Sequence, residues 1–479
     1  MNNYETVIGL EVHLQLSTRS KAFCGDDASF GGAPNSHVSV VSLGHPGTLP
    51  RLNEAQLRYA VRLGLALGCK INLESRFDRK NYFYTDLPKG YQITQDALPV
   101  CVGGTLPIKV RDSWRAVRIH HIHMEEDAGK SIHDIDPKNS LIDLNRAGVP
   151  LLEIVTEPDL YSAEEVDAFM TGMRQLARYL GISDGNMQEG SMRCDVNISL
   201  RKKGSRELGE RCEIKNLNSM RFARQAIEYE AGRQAALLDR GEAIVKQTLK
   251  FDPGTGTTHP LRGKEDAHDY RYFPDPDLPP VVLTDVMIEE EKKHLPDLPW
   301  QLYERFTTKF GLSDYDAGLL TQEPEVAGFF LQLCGSTKNY KAAANLLINK
   351  VNPWLNENGV GVEAFPVPVN ALAELIALVD ANKVSASAAN QQLFSALIEN
   401  PGTSPAELAD KLNLLQVSDE NYLEDLARKV IEAHPKEVEI FRNGKKGLIG
   451  FFMGELMKAS KGKADPKAGR ELLMKLLSL

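Results

Sequence analysis

The sequence predicts an α+β fold, and three observations predict it. Up to about residue 290, short alternating strands and Gly/Pro turns predominate and helices are few. Beyond that point apolar residues recur every three to four positions, as at Leu372, Leu375, Ile376 and Val379, which is a helical period. Between the two textures stands Leu295-Pro296-Asp297-Leu298-Pro299, which cannot continue a helix, and a second break at Asn400-Pro401-Gly402-Thr403-Ser404-Pro405 precedes the periodic run AELADKLNLL. At about 100 to 200 residues per domain, 479 residues exceed one core, so the expected division is 1–294, 295–403 and 404–479.

The elements follow in order. From Ile8 to Leu16, Ile8, Leu10, Val12, Leu14 and Leu16 alternate with Gly9, Glu11, His13 and Gln15, a strand with one core face and one polar face. Ser162 and Glu165 form a capping box that opens an amphipathic helix, which Gly181 should close. Met192 to Leu200 repeats the strand pattern, with Arg193, Asp195, Asn197 and Ser199 on its polar side. No run approaches the 18 apolar residues of a membrane span, and the start MNNYETVIG has neither a basic nor an apolar leader region, so a cytoplasmic protein with no membrane partner is expected. The six cysteines are scattered without a CxxC and read as reduced thiols.

Chemistry concentrates in a few segments. Glu11 and His13, two apart on one strand, project from the same face, and a carboxylate beside an imidazole can hold a divalent cation or form an acid/base pair. A solvated sheet face would look the same, so other acids must decide. Glu125, Glu126 and Asp127 end the run RIHHIHMEEDAGK, and Glu153 stands inside the apolar stretch Leu151 to Val155, where a carboxylate is costly unless paired or metal-bound. Oxygen ligands with at most one imidazole suit Mg2+ or Mn2+ better than zinc. No P-loop is present, since Gly129-Lys130-Ser131 would need a glycine where Met124 stands. From Phe77 to Gln95, Arg79, Lys80, Tyr82, Tyr84, Lys89, Tyr91 and Gln92 interleave cations with aromatics, a mixture that can hold phosphates and stack a base, or simply form a surface hairpin.

Charge is uneven. The 56 Lys and Arg against 65 Asp and Glu give a formal charge of -9, which alone argues against nucleic acid. Yet Phe441 to Leu479 holds nine Lys/Arg against three acids, a local +6, which leaves -15 for the rest. Within it, Lys445, Lys446, Lys458, Lys461 and Lys463 lie among glycines whose amides suit phosphate contact.

The motifs IGLEVHLQL, FDRKNYFY, HMEEDAGKS, DLNRAGVPLLEIVTEPD, EGSMRCDVNISL, EIKNLNS, DYRYFPDPDLPP and GKKGLIGFFMGELMKASKGKADP together, in order and over essentially the whole chain, closely resemble the B-subunit family of the bacterial tRNA-dependent amidotransferases. The resemblance implies a cradle-like mixed-sheet catalytic domain, an all-helical domain and a small helical YqeY-like tail that contacts tRNA. It implies ATP- and Mg2+-dependent phosphorylation of the side-chain carboxylate of misacylated glutamyl-tRNA(Gln) or aspartyl-tRNA(Asn). Ammonia from a glutaminase A subunit then displaces phosphate, and a small C subunit completes a heterotrimer. Carried onto this sequence, the family's catalytic cation site falls on Glu11, His13, Glu126 and Glu153, with Glu125 as the neighbour that alternation sets against Glu126. Arg79, Lys80, Tyr82, Tyr84, Lys89 and Gln92 would line the nucleotide and aminoacyl pocket. Some relatives carry a four-cysteine zinc site after the first strand; here Cys24 remains but Gly25-Asp26 and Ser39-Val40-Val41-Ser42 replace the other thiols, so no zinc is expected. The alternative is a non-catalytic tRNA-binding scaffold. Glutaminase activity is disfavoured, because neither a Ser-Ser-Lys arrangement nor an assignable Cys-His pair is present.

Overall fold

The computed structural model describes residues 3–133, 135–136, 138–261, 269–416, 420–460 and 464–478. It has the expected α+β architecture and divides into two compact units, residues 1–301 and 302–479.

The first unit is built on a ten-stranded sheet. Its order is Thr257–Pro260, Gln247–Asp252, Cys212–Leu217, Met192–Lys202, Tyr4–Gln15, Pro150–Thr156, Ser113–Glu126, Cys101–Val102 and Lys70–Ile71, and Thr105–Val110 forms a hairpin with Ser113–Glu126. Neighbours are antiparallel except Cys212–Leu217 and Gln247–Asp252, which makes the sheet mixed. The first strand lies at the centre, as its alternation requires: Ile8, Leu10, Val12 and Leu14 are buried with Ile122, Met124, Leu152, Ile154, Met192, Cys194 and Val196 in one core. Helices Glu54–Ala66, Ala163–Tyr179 and Met220–Asp239 pack on these strands and close that core.

Local signals place the helices. Ser162 accepts from the Glu165 amide at 3.1 Å, and the Glu165 carboxylate accepts from the Tyr161 amide at 2.6 Å. The helix gives way at Leu180 to Gly181, whose φ of +63° is a conformation that glycine adopts without strain. A smaller three-stranded sheet, Phe273–Pro274, Asp78–Asn81 and Tyr91–Thr94, carries the cation- and tyrosine-rich segment.

The second unit is helical. The first unit's last helix, Asp285–Lys293, stops before the Pro296 break, and the helix that leads into the second unit begins at Pro299. Helix Phe394–Glu399 ends at Asn400, and Ser404 caps the helix Pro405–Lys411, which packs on Val369–Asp380. The closing helices Glu420–Ala433, Pro435–Arg442, Ile449–Ala459 and Pro466–Leu477 gather a separate core around Leu423, Ala427, Phe441, Phe452, Leu456 and Leu473. No helix among the described residues is long and apolar enough to cross a membrane.

Candidate active site

Strand register assembles the polar face of the large sheet into one site. His13 pairs opposite Glu153, Glu153 opposite His123, and Leu151 opposite Glu125, so His13, Glu153, His123 and Glu125 project from three adjacent strands toward one point. His13 Nε2 lies 3.3 Å from Glu153 Oε2 and 3.9 Å from Glu125 Oε1, and His123 Nε2 lies 3.6 Å from both Glu125 Oε2 and Glu153 Oε2. The donor atoms of His13, Glu125 and Glu153 all fall within 4.8 Å of one another, and Thr94 Oγ1 donates to Glu125 Oε2 at 3.3 Å. Two carboxylates and an imidazole this close, with Glu125 almost fully buried, form a donor set of the hard-cation type.

The electrostatics follow from the same crowding. Burial pushes the Glu153 carboxyl up, but the imidazoles of His123 and His13 and the Lys80 ammonium outweigh it and hold the group well below the usual carboxylate range. Burial pushes His13 down, and its bond to Glu153 more than reverses that. Lys80 is likewise depressed by burial and raised further by Glu125, Tyr272 and Glu153, so its charge faces the cluster. His121, stacked on His123 at 5.2 Å between centroids, is lowered to about 4 by burial and by the neighbouring imidazoles.

The structure separates residues that the sequence grouped. Glu125, not Glu126, stands with His13 and Glu153. Glu126, the last residue of the strand, lies on its other face, where Lys89 donates to its carboxylate and the Ile93 amide donates at 3.0 Å. Glu11 belongs to an adjoining group with Asp195 and Glu213, in which Lys215 reaches Asp195 at 3.1 Å and Glu213 at 2.8 Å, and Asn197 donates to Glu11 at 2.9 Å. Burial, then Glu153 and Glu213, raise the Glu11 carboxyl, which ties the two groups together electrostatically.

Of the six proposed pocket residues, two line the cavity beside Glu126. Arg79 and Lys89 line a cavity of about 240 Å3 with Lys21, Tyr91 and Glu126, and Arg79 is held by Asp275 at 2.8 Å and Asp277 at 2.7 Å. Lys80 points to the other side of its strand, toward the acidic cluster, and Tyr82 is also near those carboxylates. Gln92 is buried and donates to the Glu126 carbonyl at 2.7 Å, while Tyr84 is half exposed at the rim. Cys24 contacts Ser42 at 3.3 Å, and that hydroxyl donates to Asp26.

Sequence reasoning missed His123, Asp195, Glu213, Lys215 and Thr94 as site residues. His123 lies two residues from Glu125 and opposite Glu153, and Asp195 lies opposite Glu11, across strand pairs whose register the sequence does not state, whereas Glu213, Lys215 and Thr94 come from strands that pair with no flagged acid. In the second unit, Lys445 and Lys446 are exposed, Lys458 pairs with Glu455 at 2.6 Å, and Lys461 and Lys463 lie outside the described residues.

Two family models match the chain: the GatB/GatE catalytic domain over residues 6–289 and the GatB domain over residues 328–477. Proteins named as the B subunit of aspartyl/glutamyl-tRNA(Asn/Gln) amidotransferase are similar over nearly the full length. That of Anaeromyxobacter dehalogenans is 47% identical across 100% of this chain and 99% of its own. Those of Thermodesulfovibrio yellowstonii and Nitratidesulfovibrio vulgaris are each 47% identical across 99% of both chains.

Proposed function

The chain belongs to the B-subunit family of the aspartyl/glutamyl-tRNA(Asn/Gln) amidotransferases, and from that premise we propose that it activates the side-chain carboxylate of a misacylated tRNA with ATP and completes the amide there. The substrates are glutamate on tRNA(Gln), aspartate on tRNA(Asn), or both. A protein of this family works in a multi-subunit amidotransferase; the partners proposed are a glutaminase A subunit and a small C subunit, in a cytoplasmic heterotrimer.

The observation that carries this reading is the convergence of His13, Glu125 and Glu153 beside Lys80 on the polar face of the sheet. A carboxylate resists ammonia because oxide is a poor leaving group. Its oxygen therefore attacks the γ-phosphorus of ATP, the bond to the β-phosphate oxygen breaks, and ADP departs. Ammonia then attacks the acyl carbon, the carbon–oxygen bond to phosphate breaks, and the nitrogen sheds a proton. Such a transfer needs positioning and charge neutralisation more than covalent help. His13, Glu125 and Glu153 would hold Mg2+ or Mn2+, which when bound neutralises phosphate charge. Glu11, with Asp195 and Glu213, adds negative charge next to it, and Lys80 supplies a fixed cation toward the transferring group. His123 buttresses Glu125 and Glu153 at 3.6 Å each.

In the reconstituted complex, misacylated tRNA should stimulate ATP hydrolysis, and His13→Ala or Glu153→Gln should lower amidation by at least about 100-fold, on the scale of lost electrostatic stabilisation, while the A subunit still hydrolyses glutamine. Normal ATP-dependent amidation by either variant would rule out this site. Complete absence of tRNA-stimulated hydrolysis in the wild type would favour a scaffold.

A further inference from the structure

A row of tyrosines borders the acidic cluster. The strand Phe273–Pro274 pairs with Asp78–Asn81, and just before it the Asn81 amide donates to the Tyr270 carbonyl at 2.9 Å while the Asn81 side chain donates to the Arg271 carbonyl at 2.9 Å. These bonds bring Tyr270 and Tyr272 alongside Tyr82. Ring centroids then run Tyr84 to Tyr82 at 6.3 Å, Tyr82 to Tyr270 at 6.0 Å and Tyr270 to Tyr272 at 6.0 Å, all edge to face. Lys80 Nζ sits 4.9 Å from the Tyr270 centroid and faces Glu125 and Glu153 beyond it, and Tyr272 feels both Lys80 and Glu125. The row is open to solvent: Tyr272 is 41% exposed, Tyr84 50% and the adjoining Phe83 84%. Exposed aromatics gathered in this number mark a contact surface.

We propose that this tyrosine row receives the terminal nucleoside of the unpaired 3′ end of the aminoacyl-tRNA. The proposal rests on the function stated above, in which the carboxylate to be activated must reach the His13–Glu125–Glu153 cluster. An esterified glutamate separates that carboxylate from its ribose by about six covalent bonds, roughly 8 Å at ordinary bond lengths. The terminal base must therefore lie on a surface that adjoins the cluster, and the tyrosine row adjoins it through Lys80. Unpaired bases stack on aromatic faces whatever their sequence, and cations next to the rings meet the phosphodiester; Arg271, exposed between Tyr270 and Tyr272, is placed for that contact.

The test compares binding of uncharged full-length tRNA(Gln) with the same tRNA trimmed of its terminal nucleoside, using the whole complex. The wild type should prefer the full-length tRNA by a factor of about 5 to 150, the range for one base–aromatic stack. Tyr272→Ala should erase that preference, Tyr272→Phe should keep it, and the KM for ATP should stay within about twofold, an allowance small against that range. Tyr84→Ala, at an exposed ring, provides a second variant should Tyr272→Ala lose its fold, and it should reduce the same preference. A wild type indifferent to trimming, or variants that weaken both tRNAs equally, would overturn the proposal. So would a rise in the KM for ATP with tRNA preference intact, because the row would then hold the adenine of ATP. A preference abolished by Tyr272→Ala in a complex that performs no ATP-dependent amidation would leave the row assigned and remove the function instead.

Discussion

Glu125 and Glu126 are neighbours in sequence with opposite surroundings, and that difference is measurable. The Glu125 carboxylate shares its space with His13 and Glu153, whereas that of Glu126 is occupied by Lys89 and the Ile93 amide. Glu125→Gln should weaken Mn2+ binding by more than the roughly 10- to 100-fold typical of a partner outside the ligand set, and Glu126→Gln by no more than about 10-fold, the lower edge of that range. Glu126→Gln should act on stability instead. It leaves a largely buried Lys89 ammonium without its counter-charge, which costs about 3 to 5 kcal/mol. Calorimetric Mn2+ titration of both variants, with a denaturant melt of each, separates the two effects; equal loss of Mn2+ affinity would place Glu126 in the site. Strand alternation said that one of the pair would face the cation and the other would not. It could not say which, because the parity of Glu125 relative to His13 exists only once Leu151 is paired with Glu125 and His13 with Glu153. The same missing register concealed Asp195, which faces Glu11 directly across the next strand.

Elements were legible where their signals are local. The alternation of Ile8 to Leu16 and the Ser162–Glu165 cap each lie within one element, and the structure has a strand and a helix there. The three-stranded sheet around Arg79 was not legible, since its edge strand Phe273–Pro274 is close to two hundred residues away and only two residues long. Asp127 shows how such distant strands are held in place. It directly follows one strand and accepts from Arg193 on a second at 2.8 and 3.0 Å and from Gln15 on a third at 2.6 Å. Burial pushes the Asp127 carboxyl up, but the charges of Arg193 and Arg146 outweigh it and leave it well below the usual range. A folded-state value lower than the unfolded one, about 3.9, means that the stabilisation is fully present at neutral pH and is lost as pH falls through the folded value. Asp127→Asn strands a buried guanidinium and should lower the unfolding free energy by about 3 to 5 kcal/mol at pH 7. Urea melts across pH should show that gap narrowing only below about pH 4. A gap that closed near pH 6 would mean that a histidine, not Asp127, holds the strand ends.

Across the whole molecule, the formal charge of -9 averages two unlike regions, because residues 441–479 carry +6 and the remainder -15. Counting charges found the region but could not rank its lysines, and the ranking follows from their partners. Lys445 and Lys446 are exposed at the turn between helices Pro435–Arg442 and Ile449–Ala459, with Lys446 Nζ 4.5 Å from the Phe441 ring, so their charges are open to a polyanion. Lys458 is bound to Glu455 at 2.6 Å and presents little net charge. If this end of the chain grips the tRNA backbone, removing one lysine–phosphate pairing should flatten the plot of log K against log salt by about one unit. Lys445→Glu with Lys446→Glu should therefore lower the slope by about two and weaken correct and incorrect tRNAs alike, because phosphate pairings carry no sequence information. Lys458→Glu should change the slope by much less than one unit. Mn2+ affinity at the His13–Glu125–Glu153 site should be unchanged in both variants. Binding measured over a salt series decides the matter, and a slope insensitive to Lys445 and Lys446 would place the tRNA-binding surface elsewhere on the protein.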